Sequence, residues 1–142
     1  MRLASRRRFL SGCGVALAAL MFRVRPASAS RRGPIQGNGP HPTPRAGITA
    51  SKVLTKEQLG EHKSAIPVFD QVREIPEIVD GIRCQCGCAE LPGHYSLLSC
   101  YEGDAMAQSC SVCQGQAKLA YRLHKEGKTL DEIRTAIDVR YG

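Results

Sequence analysis

The sequence predicts a mainly α protein: a small, cysteine-rich helical domain that ends in an αα-hairpin, with an irregular cysteine-rich loop ahead of it. Three observations carry that prediction. Apolar residues recur at helical spacing from about Ala105 to Glu126, and again from Leu130 to about Tyr141. Gly127 stands between the two runs as a stop, and Thr129 with Glu132 three residues on is a capping-box start. No stretch shows a convincing strand alternation of apolar and polar residues.

Taken in order, residues 1–29 read as an export signal rather than part of the fold. Residues 1–8 are basic, Phe9 to Phe22 is an apolar run too short to span a bilayer comfortably, and Ala27-Ser28-Ala29 offers small residues for cleavage. Ser5-Arg6-Arg7-Arg8-Phe9-Leu10 has the twin-arginine pattern, which serves proteins exported already folded, often with a cofactor in place. Membrane contact is expected only through an uncleaved signal. Residues 30–52 are rich in Gly and Pro without apolar periodicity and read as a flexible linker; the domain proper is expected over 53–142.

Within the domain, Thr55 with Gln58 is a capping-box pattern and suggests a short helix near 55–62. Pro67 and Pro76 punctuate the next segment. Pro76 suits the first turn of a helix that runs to about Ile82, with Ile75, Ile78, Val79 and Ile82 on one face. The stretch from Cys84 to Ala105 is broken by Gly, Pro and Asp and reads as a loop with one helical turn at most. In the long run that follows, Cys113, Ala117, Ala120, Tyr121 and His124 share one side, with Val112, Gln116, Leu119 and Leu123 alongside. In the last helix Leu130, Ile133, Ala136 and Ile137 form the apolar stripe. So small a core commonly needs a metal or disulfides as a staple.

Charge excludes one class of function. The chain carries a formal net charge of +7, but residues 1–29 hold six arginines and no acid. The remainder is close to neutral, so nucleic acid is not an expected partner. No Ser/His/Asp or paired-carboxylate arrangement suited to hydrolysis stands out.

The chemistry lies in six cysteines: Cys84, Cys86 and Cys88 in a C-x-C-x-C run, Cys100, and Cys110 with Cys113 in a C-x-x-C pair. Three readings are open. Thiolates bind Zn(II), Cu(I) and iron–sulfur clusters, and a C-x-x-C spacing lets two sulfurs face one ion. Six thiols exceed the need of one zinc, which favours a polynuclear Cu(I) site or a metal plus reactive thiols. Alternatively, Cys110 and Cys113, or Cys84 and Cys86, form a redox pair, activated where a helix start lowers a thiol pKa. Third, an exported small domain can simply carry three disulfides. Among the histidines, His94 sits in the cysteine loop and is the one candidate ligand. His41 in the linker and His62 near a helix end read as solvated. His124 lies about 16 Å along the helix from Cys113 and is too far to share its ion.

The run "RCQCGC…GHYSLLSCYEGDAMAQSCSVCQGQA" resembles the PCYCGC-motif proteins, exported or lipidated bacterial proteins without an established activity. Arg83 and Gln85 stand where that motif has proline and tyrosine, and every sulfur is kept. The C-terminal "EGKTLDEIRTAIDVRYG", with "GIRC" before the first cysteine, also resembles the CcmH-type thiol protein of cytochrome c maturation, which implies a three-helix scaffold. The expected function is that of an exported protein, placed in the periplasm or at the cell surface. It binds a soft metal (Zn, Cu or Fe–S) through Cys84, Cys86, Cys88, Cys100, Cys110, Cys113 and His94, for carriage, buffering or sensing. The expected partners are the metal ion and a protein that exchanges metal or thiols with it. The alternative is an exported thiol-disulfide oxidoreductase or a haem-handling protein.

Overall fold

The computed structural model describes residues 39–142; the predicted signal peptide and the linker up to residue 38 lie outside the described residues. Four α-helices order the chain: α1 (Ile66–Glu74), α2 (Pro76–Asp80), α3 (Ser111–Lys125) and α4 (Leu130–Tyr141). Short 3-10 turns punctuate the rest, at Lys63–Ala65, Cys88–Glu90, Leu97–Tyr101 and Met106–Gln108. Among the described residues there is no strand, only a single antiparallel bridge between Val53 and Glu102. The fold is mainly helical, as the sequence predicts.

The hairpin α3–α4 forms where it is expected, by the devices expected. Gly127 adopts φ +79°, the left-handed conformation that glycine takes without steric cost. The Gly127 N–H donates to the His124 carbonyl and the Lys128 N–H to the Leu123 carbonyl, which together form a Schellman stop. The Glu132 N–H then donates to Thr129 Oγ1 at 3.3 Å, while the Thr129 N–H donates to Glu132 Oε2 at 2.8 Å. That reciprocal pair satisfies two donors that a bare helix start leaves open. Cys113, Gln116, Ala117, Leu119 and Ala120 of α3 and Ile133 and Ile137 of α4 are buried.

Three boundaries differ from the sequence reading. The capping box of Thr55 and Gln58 does form, with the Thr55 N–H donating to Gln58 Oε1 at 2.8 Å. It opens a single turn rather than a helix over 55–62, because Gly60 turns left-handed at φ +51°. Helix α1, to which the sequence reading gives no helix, begins with Pro67 in its first turn, the same placement that Pro76 has in α2. Helix α3 starts at Ser111 rather than near Ala105, since Ala105 takes φ +38° and cannot continue a right-handed helix.

Residues 39–52, read as linker from composition, are held to the helices. The Arg134 guanidinium donates to the Pro42 carbonyl at 2.7 Å, and the Tyr95 hydroxyl to the Thr43 carbonyl at 2.6 Å. Arg45 reaches the fully buried Asp80 three times, from its backbone N–H at 2.8 Å, Nε at 3.1 Å and Nη2 at 2.7 Å. Ser96 Oγ completes the set around that carboxylate at 2.7 Å. Burial alone would raise the Asp80 carboxyl, but the hydrogen bonds from Arg45 and Ser96 outweigh it and hold it below the ordinary range. Proline and glycine mark this segment as irregular; they do not make it loose.

One core serves the helices and the cysteine loop. Phe69 of α1 meets Tyr101 edge to face, with ring centroids 4.8 Å apart. The Tyr101 hydroxyl donates to the Cys113 carbonyl at 2.9 Å, so the loop is tied to the first turn of α3. Leu97 and Leu98 are buried beside them, and the Leu97 N–H donates to the Ile82 carbonyl at 2.7 Å.

Candidate metal centre

Helix α2 ends at Asp80, and Gly81-Ile82-Arg83 delivers the chain straight into Cys84. The next five residues make a tight turn, with Gly87 at φ +90° between Cys86 and Cys88. That turn folds the alternate cysteines inward. Cys86 Sγ lies 3.1 Å from Cys84 Sγ and 2.8 Å from Cys88 Sγ. Cys100 arrives on the Leu97–Tyr101 turn and is fully buried. Cys110 is the N-cap of α3, its sulfur accepting the Cys113 N–H at 3.5 Å. Cys113, one turn in, points at the loop: its sulfur is 3.6 Å from Cys84 Sγ and 3.4 Å from Cys86 Sγ.

Six predicted sulfurs therefore meet, although they span 30 positions of the chain. They form two overlapping groups, Cys84, Cys88, Cys100 and Cys113, and Cys86, Cys110 and Cys113, with the sulfurs of each within 4.8 Å of one another. The first group is buried, and the second is half exposed apart from Cys113. All six are free thiols. Four sulfurs around one ion with metal–sulfur bonds near 2.3 Å stand about 3.8 Å apart, so the buried group has the size of a tetrahedral thiolate site. The cluster could hold a metal ion.

His94, the seventh predicted donor, belongs to neither group. It lines a neighbouring cleft, where its buried Nδ1 has no hydrogen-bond partner among the described residues. His41 is not solvated: its Nδ1 accepts the Arg83 N–H at 2.9 Å, and its Nε2 lies 3.1 Å from the Asp138 carboxylate. These bonds fix the tautomer with the proton on Nε2. The buried Gln85 reaches the same carboxylate, donating from Nε2 at 2.8 Å, and its N–H donates to Gln116 Oε1 at 3.3 Å. Helix α4 thus braces both residues that flank Cys84. Sequence reasoning missed this brace and Met106, whose Sδ lies 3.5 Å from Cys88 Sγ.

The electrostatics follow from crowding. Hydrogen bonds from Cys100 and then Cys113 hold the Cys84 thiol below its ordinary value, and the same two neighbours drive Cys86 far down. Cys88, Cys100 and Cys113 keep their protons. Burial, then the bond to Cys86, pushes Cys88 up to about 12. Cys113 is driven far up by Cys100, Cys84, Cys86 and burial. For Cys100 the bond with Cys113 acts downward, but Cys84, Cys86 and burial outweigh it. Thiolates this close cannot all ionise together unless a cation shares the site. Among the described residues, none of the hydrogen bonds to these sulfurs comes from a lysine, arginine or histidine side chain.

Among the described residues no helix is long and apolar enough to cross a membrane. The family described as "Protein of unknown function with PCYCGC motif" matches residues 46–142, and the chain belongs to it. No curated protein and no solved structure matches the chain, so the likeness to the CcmH-type protein rests on the quoted residues alone.

Proposed function

We propose that this member of the PCYCGC family binds a soft metal through its six sulfurs and acts outside the cytoplasm to carry, buffer or sense it. The observation that supports this is the convergence of six reduced cysteines, from three separate stretches of chain, into two groups of ligand size. Soft thiolates select Zn(II), Cu(I) or iron–sulfur clusters over hard cations. The twin-arginine pattern of residues 5–10 supports filling of the site before export. The test is elemental analysis with native mass spectrometry of the domain, recovered without chelator from its own host. The expected result is metal at a fixed ratio with all six cysteines reduced. A metal-free protein lighter by two hydrogens per cysteine pair contradicts the proposal.

One observation favours a second reading, a thiol-disulfide oxidoreductase. Cys86 is half exposed, its thiol is held low by Cys100 and Cys113, and Cys88 and Cys113 lie at 2.8 and 3.4 Å. A thiolate so placed can attack a disulfide. Reversible oxidation of a single pair in the metal-free protein, at a potential matched to a partner, would select it.

A further inference from the structure

We infer that the cluster is a polynuclear Cu(I) site, loaded and emptied across Met106 from the adjoining cleft. This rests on the soft-metal reading and names the metal, the nuclearity and the route.

Nuclearity comes from the overlap. The two donor groups number four sulfurs and three, and Cys113 belongs to both. One tetrahedral ion would leave Cys86 and Cys110 without a role, yet both are turned toward Cys113. A thiolate common to two groups is a bridge between ions. Cys86, at 2.8–3.4 Å from Cys84, Cys88 and Cys113, knits the groups into one cluster.

The identity of the metal comes from the donors. Structural zinc takes four ligands, whereas the outer group offers three, a number that suits trigonal Cu(I). Among the described residues no histidine, aspartate or glutamate joins either group. The next heavy-atom donor is the Met106 thioether, 3.5 Å from Cys88 Sγ, and thioethers are ligands for Cu(I).

The route comes from exposure. Met106 is 39% exposed, although the sulfur it touches belongs to a cysteine that is 3% exposed. It closes one side of a cleft of about 970 Å³, whose wall also carries His94 with its unpartnered Nδ1. A thioether at the rim and an imidazole on the approach form a graded series of weaker ligands leading to the thiolates. His94 therefore serves transfer rather than residence.

The test is anaerobic titration of the reduced full chain with Cu(I), with bicinchoninate as competitor. The reduced protein is expected to take two or more Cu(I), and Cys110→Ser at least one fewer. Serine is a good N-cap, so that variant keeps the start of α3. Met106→Leu and His94→Ala are expected to keep the full stoichiometry while release to bicinchoninate slows at least ~5-fold. A single Cu(I) per chain, an unchanged count in Cys110→Ser, or unchanged release in both rim variants overturns the inference. One Zn(II) that Cu(I) does not displace also overturns it and leaves the soft-metal reading intact. Failure of the reduced chain to bind Zn(II), Cu(I) or iron would sink both.

Discussion

Residues 111–141 and residues 83–110 differ in how their backbone is held. In the αα-hairpin every turn has a local cause: the Schellman stop at Gly127, the box of Thr129 and Glu132, and an apolar stripe on each helix. In the cysteine loop the causes are remote. His41 holds Arg83 across 42 positions, Asp138 holds Gln85 across 53, and Cys113 meets Cys84 across 29. The hairpin is specified by its own residues, whereas the loop is specified by its surroundings and, in our account, by the ion it encloses. A structure that depends on metal should therefore fail in one region and persist in the other.

The largest effect is expected from removing the metal. Amide exchange over 83–110 should rise at least ~10-fold, while 130–141 should change less than ~2-fold, since the caps of α4 contain no sulfur. Hydrogen-exchange mass spectrometry before and after chelation checks this. Equal deprotection of both regions would erase the contrast.

Next in size is Asp80→Asn, which strikes the loop through its anchor. Asparagine cannot pair with Arg45 as a carboxylate does. Charge-assisted hydrogen bonds to a buried group give an expected loss of about 2 kcal/mol in chemical denaturation, discounted because Arg45 is partly exposed. The sign of the pH dependence follows from the direction of the shift. The folded carboxyl lies below its ordinary value of 3.8, so the unfolded chain binds more protons as acid is added. The contribution is complete at neutral pH and is lost as pH falls through the folded value. Asp80→Asn should lack that acid step.

Two substitutions probe the hairpin. Gly127→Ala places a side chain at φ +79° and is expected to cost about 1–2 kcal/mol. Thr129→Ala removes one half of the capping box and is expected to cost about 1 kcal/mol. Neither should change the metal-to-protein ratio. A drop in that ratio would show that the two regions are coupled more tightly than their contacts indicate.

The same contrast explains what could be read from the sequence. Gly127, Thr129 and the stripe of α4 act within four residues of themselves, so pattern and spacing expose them. The six sulfurs were legible as candidates because the residue type is rare and soft, and C-x-C-x-C and C-x-x-C are short motifs. Their grouping was not legible, because it depends on where the Leu97–Tyr101 turn places Cys100. The role of His41 was hidden by a Pro- and Gly-rich neighbourhood that resembles a linker until Asp80 and Asp138 are seen beside it. Pro67 was a legible helix start that its neighbour Pro76 overshadowed. Met106 carried no signal in sequence, since one methionine among apolar residues looks like packing.

X-ray absorption at the edge of the bound metal, on protein isolated without chelator, tests the central claim most directly. Our account predicts a first shell made of sulfur alone at about 2.2–2.3 Å, with a metal–metal distance behind it. A shell dominated by nitrogen or oxygen, or a protein that carries no metal and has its cysteines paired as disulfides, would contradict it.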